Sequence, residues 1–319
     1  MIWLTWRQHR AAAYLFGGVF ALLVVIVLIT GHNIATLYQQ LGVANCIAHP
    51  DRPNCDNVLG GFLDQVDPWV SALQWLNLLP ALIGVLIGAP LVAHELEQGT
   101  HRLVWTQSVS RMRWLAVKLV ALFGAVLLAT ALFTVLTTWW FTPLYTIRGN
   151  FIPSVFDFEG GVPLAYAAFA LALGIAAGAL LRRTIPAMVV TIADFLAVRL
   201  PVEFFLRPRY LPPLHTTTDA LAMLGPQSAS AFNTWQVDSG WADHLGQHIS
   251  DVTVNQTCGD VQTKMQAFQC IHDHGIFFLS VYQPGDRLDL FQGIETAIFA
   301  ALALALVALT IWWVRRRIS

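Results

Sequence analysis

Residues His94 to Arg102 read HELEQGTHR, and they separate two of the longest apolar runs in the chain, near 70–93 and 115–141. Each flanking run has the twenty or so residues that a helix needs to cross a bilayer core about 30 Å thick. A segment holding two carboxylates, a glycine and an arginine between such runs is a loop at a membrane surface. Working outward, further apolar runs lie near 13–32, 163–181, 185–206 and 291–314, which makes six. Composition agrees, with 56% hydrophobic and 12% charged residues in 319, where soluble proteins carry roughly a quarter charged. The expected fold is an all-α polytopic membrane protein with one transmembrane domain over 1–319. It has an interfacial helix over 1–12, six spans, and a large extracellular loop over 207–290 between spans five and six.

The first run follows Arg7 and Arg10, as a secretory signal would, but it is too long and no small-x-small cleavage site follows, so it is expected to stay as a span. Ile2, Trp3, Trp6, Arg7 and Arg10 set indoles and arginines on one stripe, as suits a helix lying in the interface. Basic residues choose the orientation. Arg7, Arg10, Arg102, Arg111, Arg113, Arg182, Arg183 and the run Arg315, Arg316, Arg317 fall on one side, with Lys118 at the same edge. The other side carries Asp51, Asp56, Asp64, Asp67, Asp157, Glu159 and a series from Asp219 to Asp289. The positive-inside rule places both termini and HELEQGTHR in the cytoplasm of a cell (plasma) membrane. All four cysteines fall in loops of the opposite side, as the local pairs Cys46 with Cys55 and Cys258 with Cys270, the pattern of two disulfides in an oxidising compartment. Nine of the tryptophans, Trp69, Trp75, Trp139 and Trp140 among them, lie near span ends, where indoles prefer the interface.

Within the inner loop 94–114, Gly99 breaks the helix leaving the second span and Thr100 can cap a new one. Leu103, Val104, Gln107 and Ser108 then recur at helical spacing, before Arg111 and Trp114 lead back into the membrane. The loop is either a solvated connection or a docking surface for a cytoplasmic partner.

The segment resembles the cytoplasmic loop between the second and third spans of ABC-2 type transporter permeases. That pattern has an acidic pair, Gly-Thr, a short apolar helix, an arginine, and a lysine at the start of the next span. Here the positions are Glu95, Glu97, Gly99, Thr100, Leu103 to Val109, Arg111 and Lys118. The likeness extends to the interfacial helix, the six spans and the large outer loop. The closing run YQPGDRLDLFQGIETAIF, with WWVRRR after it, is similar to an actinobacterial branch of such permeases. His94 departs from the pattern, standing where arginine is more usual. The resemblance implies a coupling helix that docks on a separate ABC ATP-binding subunit, through Glu95, Glu97, Gly99, Thr100, Arg102, Leu103, Gln107 and Arg111. It also implies a homodimer or heterodimer of permeases in the lipid bilayer, working as an exporter, with ATP and Mg on the ATPase and no cofactor in this chain. No nucleic acid is expected as a partner.

The residues agree with that division of labour. No G-x-x-x-x-G-K-[ST] occurs and neither lysine precedes Ser or Thr, so ATP would have to be bound by another polypeptide. HELEQ falls short of the H-E-x-x-H zinc motif because Gln98 replaces the second histidine. A sensor or assembly scaffold using the outer loop is the alternative, and a membrane enzyme is third.

Other polar residues stand in the spans. Asp194, Arg199 and Glu203 interrupt the fifth, and Glu295 lies near the start of the sixth. Arg199 and Glu203 are four apart and can pair on one helix face; Asp194, nearest the middle, is the better candidate for a substrate path. Gly84 and Gly88, with Ala170, Gly174 and Gly178, form small-x-x-x-small series that let helices approach, within one subunit or at a dimer seam. His244 and His248, or His272 and His274 about Asp273, read as solvated histidines in preference to a metal site. For Glu95 and Glu97 the expected basic neighbour is Arg102 or an arginine of the partner. The substrate has no signature.

Overall fold

The computed structural model describes residues 2–49, 52–98, 111–224, 233–259, 261 and 263–317. Among them six helices are long and apolar enough to cross a bilayer: Phe16–Gln40, Cys55–Glu97, Leu115–Arg148, Val162–Leu181, Thr184–Arg209 and Gly285–Arg316. Each contains one of the six apolar runs. The chain divides into two compact units, one of Met1–Ile147, Ser154–Phe195 and Thr296–Ser319, the other of Arg148–Pro153 and Leu196–Glu295.

In the first unit, helix α1 (Ile2–Gln40) leads through a turn at Gly42 into α2 (Val43–Ala48). Cys46 is bonded to Cys55, the first residue of α3 (Cys55–Gln74). From there the second span runs on through a 3-10 turn, α4 (Leu79–Ile83), a π turn at Gly84–Gly88 and α5 (Ala89–Glu97). These 43 residues rise about 65 Å at 1.5 Å each, roughly twice the bilayer core. The helix is therefore longer than one bilayer crossing needs, with the disulfide at its N-terminal end. The third span, α6 (Arg111–Arg148), is of similar length to α1.

The fourth span, α7 (Val162–Leu181), is almost wholly buried, unlike the other five. Its sequence accounts for this, because alanine and glycine on all sides let neighbouring backbones close on it. A carbon added to Gly84 would lie 2.4 Å from the Ala170 carbonyl oxygen, and one on Gly174 would lie 2.2 Å from that of Gly84. The small-residue series are thus packing surfaces between spans two and four of one chain. The π turn sits where Pro90, lacking an N–H, cannot donate to the carbonyl four residues back, and the widened turn absorbs the misfit. Leu91, Val92, Leu115, Leu119, Leu171, Ile175 and Val314 form the core around this contact.

The fifth span begins as α8 (Thr184–Pro201), continues through a π turn at Val202–Leu206 and ends in a 3-10 turn at Arg207–Arg209. Within the second unit the chain forms a four-stranded antiparallel sheet from β1 (Leu214–Asp219), β2 (Thr234–Ala242), β3 (His248–Ile249) and β4 (Phe277–Pro284), in the order β1-β4-β2-β3. This corrects the all-α expectation: residues 207–290 hold a small α+β unit. The segments FFLSVYQP and TWQVDSGWA are rich in the aromatic and β-branched residues that favour strands. Two short helices, α9 (Asp251–Cys258) and α10 (Lys264–Asp273), are capped by the Ser250 and Thr263 hydroxyls and joined by the Cys258–Cys270 disulfide. Ala220, Val254, Ile271 and Ile276 form a core beside that bond. The sixth span, α11 (Leu288–Arg317), follows.

Candidate functional site at the C-terminal end of the second span

The last turn of α5 carries Glu95 and Glu97, and each carboxylate reaches a different span. Lys118, buried near the start of α6, donates from Nζ to Glu95 Oε1. Glu97 Oε2 accepts from the backbone N–H of Thr184 at 3.0 Å and from its hydroxyl at 2.8 Å. Thr184 opens α8, so Glu97 satisfies an orphan donor at a helix N-terminus, where the macrodipole also favours negative charge. Side chains two apart on a helix point about 200° apart, which is why the alternation Glu-Leu-Glu can serve two neighbours. Lys118 of this chain is thus a basic partner of Glu95 among the described residues, and the expected Arg102 lies outside them. Leu96 joins the core between them. Arg182, in the left-handed conformation at φ 57°, and Arg183 form the turn that brings α8 back to Glu97.

Gly99, Thr100, Arg102, Leu103 and Gln107 lie outside the described residues; Arg111 opens α6. The chain leaves this clamped corner at Gln98 and returns beside Lys118, so the loop of greatest interest is anchored at both ends.

The polar residues of the spans separate into two groups. Arg199 and Glu203 pair at 3.7 Å, as their spacing suggests. Glu295 is fully buried and accepts from Arg207 Nε at 2.8 Å and Nη2 at 2.7 Å, with the Tyr210 hydroxyl at 3.2 Å. Arg207 was not among the residues picked out in the sequence, because a partner 88 positions away leaves no periodic trace. Asp194 differs. It is exposed on α8, with no ion pair or hydrogen bond among the described residues.

The ABC-2 membrane transporter related family matches residues 17–207. The chain belongs to that family. The match covers nearly all of the first five spans, with the clamped corner and Asp194, and stops before the sheet begins. A membrane transporter family is thus shown for the part of the chain that holds Glu95, Glu97 and Lys118. No match is found among curated proteins and none among solved structures.

Also inside the matched region is a polar cluster that the sequence reading assigns to an outer loop. Residues 154–161 belong to the first unit together with spans three and four. There Asp157 and Glu159 are buried, Asp157 accepting from the Tyr166 hydroxyl at 3.1 Å and Glu159 from the Tyr145 hydroxyl. The available signal was the alternation Phe156-Asp157-Phe158-Glu159, since aromatic neighbours at each acid point to burial. Burial pushes the Glu159 carboxyl up from 4.5 to about 7. The folded chain holds this proton where the unfolded chain has released it. The stabilising term is thus complete below about pH 4.5 and is lost as pH rises through about 7. Between those limits the wild type should lose on the order of 2–3 kcal/mol relative to Glu159→Gln. Thermal unfolding in detergent across that range tests this; equal pH profiles for the two proteins would contradict it.

In the second unit, His272 Nδ1 lies 2.7 Å from Asp219, and His274 lies beside both sulfurs of the Cys258–Cys270 bond. Sulfurs joined in a disulfide are not thiolate ligands, so the grouping of Cys258, Cys270 and His274 does not make a zinc site.

Proposed function

We propose that the chain is the membrane-spanning subunit of an ATP-driven exporter, with ATP and Mg held by a separate ABC ATP-binding subunit. The observation that carries this reading is the double tie at the inner end of α5. Glu95 to Lys118 and Glu97 to Thr184 join the second span to the third and fifth, at the point where the chain enters the 99–110 loop. A push on that loop is then delivered to three spans together. Membership of a transporter family and the absence of a P-loop in the sequence support placing ATP hydrolysis on a partner.

In this account Gly99, Thr100, Arg102, Leu103, Gln107 and Arg111 form or flank the coupling helix. Two permease copies, or two related permeases, pair in the bilayer. A carboxylate at mid-span is costly against lipid, on the order of 3 kcal/mol on insertion scales. Asp194 is therefore assigned to a polar path or subunit seam. The disulfide-stapled sheet unit favours the scaffold or sensor reading more than any other feature, and as part of a transporter it would act on the outer side.

The orientation can be tested by itself. With single cysteines at Gln107 and Gln247 in a background without native cysteines, an impermeant maleimide applied to intact cells should label only Gln247→Cys. Labelling of Gln107→Cys from outside would place the loop on the wrong side for ATP.

A further inference from the structure

A cavity of about 430 Å³ lies between the outer parts of α1 and α3, within the range of about 300–1,000 Å³ typical of small-ligand sites. Its polar lining comes chiefly from His32, Asn33, Thr36 and Gln40 on α1, facing Gln65 and Trp69 on α3. Asn33, Thr36 and Gln40 are three and four residues apart, so they form one stripe of α1, while Gln65 and Trp69 share a face of α3. Among the described residues that line it there is no Asp, Glu, Lys or Arg. The side chains of Asn33 and Gln40 make no hydrogen bond among the described residues, and Gln65 uses only its amide N–H, toward the Gly61 carbonyl. Each primary amide presents donors and an acceptor side by side. The Trp69 indole is about half exposed at the rim.

That combination selects a ligand class. Uncharged amides suit vicinal hydroxyls, each of which both donates and accepts, and an exposed indole offers a flat apolar face with a polar edge. An anionic headgroup would meet no fixed positive charge. The depth adds a second constraint. The same stripe of α1 continues toward the bilayer as Leu22, Ile26 and Ile29, all exposed and apolar, and it turns polar at Asn33, close to where the first apolar run ends. The stripe thus has the profile of an amphiphile, with acyl-binding surface below and hydroxyl-binding surface above.

We propose that this cavity binds a glycosyl group, presented by a membrane glycolipid whose acyl chains lie along Leu22, Ile26 and Ile29. The site stands whether that lipid is cargo or a resident cofactor of the bilayer, so it does not depend on the transport reading.

The test uses the full chain in phosphatidylcholine nanodiscs doped with diglucosyl diacylglycerol, with bound lipid counted by native mass spectrometry. The wild type should retain the glycolipid, and added phosphatidylglycerol should not displace it. Gln40→Leu/Gln65→Leu should weaken retention about tenfold or more, the effect of losing one or two hydrogen bonds in a partly dry site. Trp69→Leu should weaken it as well, while Trp69→Phe, which keeps a ring, should not. Melting temperatures close to wild type show that the variants are folded. If free maltose competes, the glycosyl group suffices as ligand; if it does not, the lipid-borne form is required. Retention that is equal in wild type and both leucine variants, or lost to phosphatidylglycerol, overturns the proposal.

Discussion

Arg207→Leu should destabilise the chain by on the order of 3–5 kcal/mol, because it strips the guanidinium from a carboxylate that has no access to water. Arg207 and Glu295 are both almost fully buried, and two near-parallel hydrogen bonds of 2.8 and 2.7 Å join them. Once the desolvation of both groups has been met, removing Arg207 leaves the Glu295 carboxylate in a dry site without its guanidinium partner. Tyr210 at 3.2 Å can offset only part of that. The double replacement Arg207→Leu/Glu295→Leu should recover most of the loss, since an apolar pair of similar size avoids the desolvation altogether. Thermal unfolding of the single and double variants in one detergent decides it. A single variant as stable as wild type would mean that the pair carries no such strain on removal.

Gly174→Val should be as damaging, by a different route. The added carbon would stand 2.2 Å from the Gly84 carbonyl oxygen and 2.8 Å from the Ala89 nitrogen. Both are backbone atoms of the second span, so no side chain can swing aside. Overpacking ordinarily costs about 1–3 kcal/mol, and here the whole contact between spans two and four must open, so the loss should exceed that range. Gly124→Val is the matched control, for a carbon there meets nothing within 4 Å. Yield of folded protein and melting temperature should fall sharply for the first and stay near wild type for the second. Equal behaviour would contradict the assignment of the glycine series to packing within one chain.

What sequence could and could not convey follows from the range of each interaction. Apolar runs are local, and all six helices long enough to cross the membrane contain one. Spacing of three and four brought out the Gly84, Gly88, Gly174 and Gly178 series and the Arg199–Glu203 pair, because neighbours on a helix face are near in sequence. The disulfides were legible for the same reason, each closing a short loop. Contacts across long separations were not. Lys118 was noticed as part of a pattern without its bond to Glu95, and Thr184 as a partner of Glu97 depends on how spans two and five pack, which no periodicity announces. Arg207 falls at the start of the outer loop in the sequence reading, yet its guanidinium pairs with the buried Glu295 carboxylate. The sheet escaped because its strands are irregularly spaced and its longest is interrupted by a bulge between Gln236 and Asp238, whereas helical spans dominate the composition. Asp157 and Glu159 entered the sequence reading only as acids of an outer loop; their burial depends on the fold.

The two ties at Glu95 and Glu97 are central to the account, because they would carry motion from a partner into the bundle. The direct measurement is ATP hydrolysis in lipid by the permease co-purified with its ATP-binding subunit, comparing wild type with Glu95→Gln/Glu97→Gln. The variant should be made and folded at near-normal levels, and it should lose ATPase capture or the dependence of hydrolysis on the permease. A variant that binds the ATPase and couples to it as well as wild type would contradict the coupling role and leave HELEQGTHR a solvated connection.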